Sequence, residues 1–215
     1  MPLKVNEIFL SVQGESTRSG FPCVFIRLTG CNLRCSYCDT TYAYEEGALM
    51  EISDIIEMVK GFNCPLVEVT GGEPLIQDET PELITKLIDD GYTVLLETNG
   101  SQDISMVDRR SIKIMDIKCP SSGEESHNDL KNLNGLNEGD ELKFVIADKR
   151  DYDFAVETLA LIPSDKRDDI YVNFSPCFSR IEPKELSEWI LRDKLNVRLN
   201  MQLHKYIWPP DKRGV

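Results

Sequence analysis

The chain has 215 residues, 41% hydrophobic and 28% charged, enough for one compact domain with a sizeable core. No apolar run approaches the length of a membrane span, and 24 basic against 37 acidic side chains give a net charge of -13. That charge opposes unspecific attraction to a nucleic-acid backbone and points to a small-molecule partner. An odd cysteine count of 7, with no apolar leader at the start, reads as reduced thiols in a cytoplasmic protein.

In chain order, the first β-rich run is Val24–Leu28, followed by a cysteine-bearing loop and then by Glu51–Lys60, whose Ile52, Ile55, Ile56 and Val59 recur at helical spacing. Leu66–Val69 is the next strand and leads into Gly71-Gly72-Glu73-Pro74. Pro81–Asp90 carries helix signals at both ends, with Thr80 as a cap, Pro81 at the first helical position and Gly91 as the stop. Strands then follow at Thr93–Glu97, Ile112–Ile117, Glu141–Ile146, Ile170–Phe174 and Val197–Leu203, with a helix at Pro183–Leu195. Within Asp108–Leu136, the part after Lys118 is polar and rich in Ser, Asn and Gly, and reads as a long loop inside a single domain spanning residues 1–215.

Strands alternating with helices predict an α/β fold with a parallel sheet and right-handed crossovers. A complete eight-unit barrel typically takes about 250 residues, so the expectation is an incomplete, TIM-like βα barrel. Working groups in such sheets gather at the C-terminal strand ends. Four notable segments fall there: the cysteine loop, Gly71-Gly72-Glu73-Pro74, Glu97-Thr98-Asn99-Gly100 and Asp116-Ile117-Lys118.

The cysteine loop is the most specific feature. Cys31, Cys35 and Cys38 offer three thiolates at gaps of three and two residues, a pattern expected by chance in under roughly one per cent of chains of this composition. Structural zinc wants four ligands, commonly in two close pairs, whereas Cys23, Cys64, Cys119, Cys177, His127 and His204 are scattered singly and read as packing residues or isolated side chains. A cubane cluster normally takes four thiolates, so three in one loop imply a fourth iron left open.

Cys31-x3-Cys35-x2-Cys38, with Tyr37 before the last cysteine and Gly71-Gly72-Glu73-Pro74 one strand later, resembles the radical S-adenosylmethionine superfamily. In that superfamily the open iron chelates the methionyl group of S-adenosylmethionine, and reduction of the [4Fe-4S] cluster yields a radical that abstracts hydrogen. Val12-Gln13-Gly14-Glu15, Arg27, Cys38-Asp39-Thr40 and Gln202-Leu203-His204-Lys205 further resemble the 7-carboxy-7-deazaguanine synthase family, nearly end to end.

That resemblance implies a radical lyase converting 6-carboxy-5,6,7,8-tetrahydropterin to 7-carboxy-7-deazaguanine with loss of ammonia, toward queuosine and related bases. It assigns Gln13, Gly14, Glu15, Arg27, Thr70 and His204 to the substrate, and Thr40 to a Mg2+ ion that also takes the substrate carboxylate. Tyr37, Cys38, Asp39, Gly71, Gly72, Glu73, Asp116, Ile117, Lys118 and Ser175 fall to S-adenosylmethionine, the glycines as points of close backbone approach and Glu73 or a neighbouring carbonyl as acceptor for the ammonium. The stretches around Asp116 and Ser175-Pro176-Cys177-Phe178 match only loosely. No protein general base is called for, because the cofactor carries the reactive chemistry. Chemically, a pterin edge suits the Gln13 amide and Glu15 carboxylate, and the Arg27 fork suits its carboxylate. Taken alone, Glu15 and Arg27 read equally as surface charges, Thr40 as a turn residue and His204 as a core histidine.

An external electron donor such as flavodoxin or ferredoxin, and a homodimer, are further expectations from the resemblance. A glycyl-radical activase shares the cysteine loop but has no need of Gln13, Glu15 and Arg27. An iron-sulfur electron carrier would supply a fourth cysteine and would not cleave S-adenosylmethionine.

Overall fold

A computed structural model of the chain describes residues 1–164 and 166–215. Its strands are β1 (Leu3–Val12), β2 (Pro22–Leu28), β3 (Ala48–Met50), β4 (Leu66–Gly71), β5 (Thr93–Thr98), β6 (Ile112–Ile117), β7 (Glu141–Ile146), β8 (Tyr171–Pro176) and β9 (Arg198–Leu199). They form one open sheet in the order β3-β1-β2-β4-β5-β6-β7-β8-β9. From β2 onward every neighbouring pair is parallel; β1 runs antiparallel to both β2 and β3.

The helices form where apolar residues fall at i, i+3, i+4 and i+7. In α1 (Ile52–Gly61) these are Ile52, Ile55, Ile56 and Val59, and in α2 (Thr80–Asp89) Leu83, Ile84 and Leu87 pack the same way. Thr80 is the first residue of α2 rather than its cap, the N-cap position falling on Glu79 without a side-chain bond, and the helix stops before Gly91 in the left-handed region at φ +94°. Asp148 caps α3 (Lys149–Leu159) by accepting from the Asp151 N–H at 3.0 Å. The helix α4 (Pro183–Asp193) starts on Pro183, and the short α5 (His204–Ile207) ends the regular structure.

Strands and helices alternate along most of the chain, and β6 to β7 crosses over through the expected long loop, with 3-10 turns at 120–122, 125–127 and 130–135; β5 to β6 crosses through a 3-10 turn at 104–106. Ile104, Leu133 and Leu136 from these turns cover the sheet in place of a helix. The last strand is only Arg198–Leu199, not Val197–Leu203.

Alternation along the strands divides the sheet into two faces. Val67 and Val69, Val94 and Leu96, and Leu142 and Phe144 enter the cores shared with the helices. Their neighbours Glu68, Thr70, Glu97, Asp116 and Lys143 lie on the other face and line a cavity. A closed TIM barrel fills its centre with apolar layers; here the concave face is polar and open.

Because β1 is antiparallel, the turn after it lies at the N-terminal ends of the parallel strands. There it reaches across the gap to the far side. The Thr17 N–H and hydroxyl donate to Glu141 of β7 at 2.9 and 2.6 Å, and Arg198 of β9 donates to the Ser16 carbonyl at 3.1 Å. Residues 13–20 are therefore the floor of the partial barrel.

Candidate active site

The cavity holds about 560 Å³ and is bounded by the cysteine loop, by the ends of β4 to β8, by the floor residues Gln13–Ser16, and by the C-terminal residues 210–215. The sequence reading did not foresee this contribution from the C-terminal residues.

The cysteine loop is held by backbone contacts. Gly30 N–H donates to Ala43 O at 2.8 Å, Gly72 N–H to Leu28 O at 3.2 Å and Glu73 N–H to Gly30 O at 2.8 Å. A Cβ on Gly71 would collide with the Leu28 backbone, and one on Gly72 with the Gly30 carbonyl and Cys31 Cβ. Gly71 thus admits the end of β2 and Gly72 the cysteine loop, and both also line the cavity, where the sequence places close backbone approach to a ligand. Glu73 departs from its expected place. Its buried carboxylate accepts from Leu75 N–H (3.0 Å), Thr98 hydroxyl (2.8 Å) and Asn99 N–H (2.6 Å), and it does not line the cavity. Ile117 is fully buried in the core behind the sheet, so its side chain is not a cofactor contact.

The floor carries most of the buried charge. Lys143 bridges two carboxylates, Glu15 at 2.5 Å and Glu97 at 2.7 Å, and Thr70 donates to Glu97 at 3.1 Å. Gln13 is engaged at both ends of its amide: Oε1 accepts from Glu15 N–H at 2.6 Å and Nε2 donates to Glu68. Burial pushes Glu15 above the ordinary carboxylate range despite the pull of Lys143. In Glu97 the same burial is overcome by Lys143, which holds the group below its usual value. Burial and the neighbouring Glu97 and Glu15 push Glu68 well up, favouring its neutral form. Glu15 Oε1 remains buried without a partner.

Arg27, in register with Thr70, lies between the rings of Phe9 and Tyr42 and gives Nε to Glu7 at 2.8 Å. No hydrogen bond among the described residues engages its Nη atoms, which leaves the fork for a ligand. His204 rests against Gly14, where a Cβ would collide with its Nδ1, and burial lowers its pKa so that the neutral imidazole prevails. Lys205, beside it, pairs with Asp39 at 2.6 Å; burial pushes Asp39 up, but Lys205 more than reverses this and holds it at about 2. Thr40 Oγ1 donates to the other Asp39 oxygen at 3.0 Å.

On the remaining wall Lys118 pairs with Asp116 at 2.9 Å, while Asp116 Oδ1 and the Tyr37 hydroxyl are buried without partners. Ser175 also lines the cavity and takes the Asn200 side chain at 2.9 Å. Sequence reasoning passed over Glu68, Lys143, Phe9 and Tyr42. A charged residue inside an otherwise apolar strand run, as in Val67-Glu68-Val69 and Leu142-Lys143-Phe144, was the available signal.

Over its full length the chain is 48% identical to the 7-carboxy-7-deazaguanine synthase of Chlorobaculum tepidum, covering 98% of that protein. The chain belongs to the 7-carboxy-7-deazaguanine synthase family. The synthase of Clostridium acetobutylicum is 40% identical with both chains fully covered. The Radical SAM superfamily model matches residues 25–113. The crystal structure of QueE from Escherichia coli superposes with a TM-score of 0.81 at 26% identity, covering 95% of each chain. The fold is accordingly the partial βα barrel of a radical S-adenosylmethionine lyase.

The residues present fit the cluster and cofactor of that family. Cys31, Cys35 and Cys38 are free, half-buried thiols on the cavity wall. Among the described residues no three ligating side chains converge on one ion, and thiolates serving three separate irons need not do so. Burial pushes the Cys35 thiol up to about 11 against the pull of Lys118, so ionisation awaits the metal's own charge. The orphaned Asp116 Oδ1 is an acceptor with no protein donor, as an ammonium or hydroxyl ligand requires.

Proposed function

We propose that this chain is the radical S-adenosylmethionine lyase that contracts 6-carboxy-5,6,7,8-tetrahydropterin to 7-carboxy-7-deazaguanine with loss of ammonia, in deazapurine and queuosine biosynthesis. One observation carries the reading at residue level: Arg27, with free Nη donors, and Glu15, with a free buried oxygen, line the same cavity as the three cysteines. When bound, the cluster held by Cys31, Cys35 and Cys38 and the S-adenosylmethionine beside it supply the hydrogen-abstracting radical.

The chain's own residues bind, orient and exclude water. Arg27 takes the substrate carboxylate with its planar fork, and the clamp of Phe9, Tyr42 and Glu7 keeps that fork in place. Glu15 accepts from the donor-rich edge of the pterin; the bond from its own N–H to Gln13 Oε1 and the bond from Lys143 to its carboxylate fix its direction. Thr70 and the neutral His204 border the same space, His204 against Gly14. Tyr37, Asp39, Asp116, Lys118, Ser175 and the backbone at Gly71 and Gly72 surround the cofactor, and Thr40 offers its hydroxyl oxygen to a Mg2+ ion. The C-terminal residues 210–215 wall the cavity and limit water.

The reading extends to a one-electron donor such as flavodoxin or ferredoxin, a homodimer, and a single-domain protein working in the cytoplasm. No helix among the described residues is long and apolar enough to cross a membrane. The test is anaerobic reconstitution with iron and sulfide, then incubation with carboxytetrahydropterin, S-adenosylmethionine, Mg2+ and dithionite. The expected result is a deazaguanine product; cofactor cleavage without consumption of the pterin would overturn the substrate assignment.

A further inference from the structure

Asn99, directly after β5, has both polar atoms of its side-chain amide engaged. Its Oδ1 accepts from Ser101 N–H at 3.0 Å, and its Nδ2 donates to Asn32 Oδ1 at 3.1 Å. These two bonds fix the amide plane, and Nδ2 also donates to Cys31 Sγ, 3.9 Å away. A backbone donor, Leu33 N–H, meets the same sulfur at 3.4 Å. The Asn99 backbone is equally constrained, because its N–H is bound by the buried Glu73 carboxylate at 2.6 Å, beside the Thr98 hydroxyl at 2.8 Å.

From this geometry we infer that Asn99, held by Glu73, is a positioning residue that donates to the Cys31 sulfur and raises the reduction potential of the cluster. A donor aimed at a ligating sulfur stabilises the extra negative charge of the reduced cluster. Glu73 thereby acquires a task its place away from the cavity does not otherwise explain: it sets the end of β5 on which the donor stands. The inference rests on Cys31 as a cluster ligand, which the iron content of the native protein tests separately.

The experiment is a dithionite redox titration of the reconstituted, cofactor-free protein, followed by visible and electron paramagnetic resonance spectra, with iron counted in each sample. Asn99→Ala removes the donor; Asn99→Asp keeps the acceptor for Ser101 N–H and replaces the donor with a negative charge. Ser101→Ala removes the bond from Asn32 Nδ2 to Ser101 Oγ, 2.8 Å, and leaves the N–H to sulfur contact in place. Native iron content is expected in all three variants. The midpoint should fall in Asn99→Ala, fall further in Asn99→Asp, and stay native in Ser101→Ala. Unchanged midpoints in both Asn99 variants would overturn the inference. So would an equal fall in Ser101→Ala, since the loop tether would then set the potential, or loss of iron from both Asn99 variants, since a donor that only tunes the sulfur does not hold the metal.

Discussion

Replacing Lys143 with Met keeps the aliphatic stem and removes the one ammonium that bridges Glu15 and Glu97. All three side chains are largely buried, with 8% of the lysine exposed. Breaking a buried ion pair by removing one partner costs about 3–5 kcal/mol, because the surviving charge is stranded. For a chain of this size about 1 kcal/mol moves the melting temperature by about 2–4 °C, so Lys143→Met should melt on the order of 10 °C lower near neutral pH. The loss should depend on pH in a definite direction. Native Glu97 is buried, but Lys143 holds it below its ordinary value, so it stabilises the fold above its unfolded pKa and loses that contribution as pH falls. Without Lys143 burial acts on Glu15 with its main counterweight gone, and in Glu97 only Lys118 and the Thr70 hydroxyl still oppose it, so both carboxylates bind protons more readily folded than in the native protein. The variant then loses stability as pH rises from the ordinary carboxylate range through the raised folded-state pKa values. Melts under argon at one scan rate, from about pH 4 to about pH 8.5, should show the gap widening upward. A gap that is constant across that range would refute the charge argument and leave only a packing defect.

Two further outcomes follow from the site. Arg27→Lys keeps the charge but loses the fork, and should raise the KM for the pterin by roughly tenfold or more while the affinity for S-adenosylmethionine, measured by equilibrium binding, stays native; loss of cofactor affinity with pterin affinity intact would reverse the assignment. Thr40→Val should weaken the dependence of turnover on magnesium concentration without lowering iron content, and turnover indifferent to magnesium in both proteins would make Thr40 a turn residue.

The cysteine loop and the parallel strands were legible because each is local: a spacing of thiols, or a run of β-branched residues between turn signals. What escaped was non-local. Strand β1 alternates Leu3 and Val5 with Lys4 and Asn6, and its polar half hides it from a search for apolar runs. Yet β1 supplies the Glu7 that holds Arg27 and leads into the floor. Lys143 and Glu68 stand in strands that read as buried, and only the sheet order shows that their face is the wall of a polar cavity rather than a core. Glu73 was misplaced for the converse reason, since a motif residue beside a site need not point into it. Three donors from two neighbouring segments take up its carboxylate, and no spacing in the sequence announces them.

The pairing of Gly14 with His204 links the two ends of the chain and is open to a double-mutant test. An Ala at position 14 would drive its Cβ into the imidazole Nδ1 and to within 3.2 Å of the His204 backbone nitrogen. The segment cannot simply lift away, because Leu203 N–H donates to the Gly14 carbonyl at 2.9 Å and Lys205 holds Asp39 of the cysteine loop. Gly14→Ala should therefore tilt α5 and the imidazole out of the cavity and raise the KM for the pterin by roughly tenfold, about 1.4 kcal/mol, with native iron content. His204→Gly removes the ring that the new methyl meets. If the clash with the ring is the cause, the double variant should bind the pterin no worse than His204→Gly alone, a large departure from additivity. Independent, additive losses would mean that Gly14 acts through the floor backbone and not through His204.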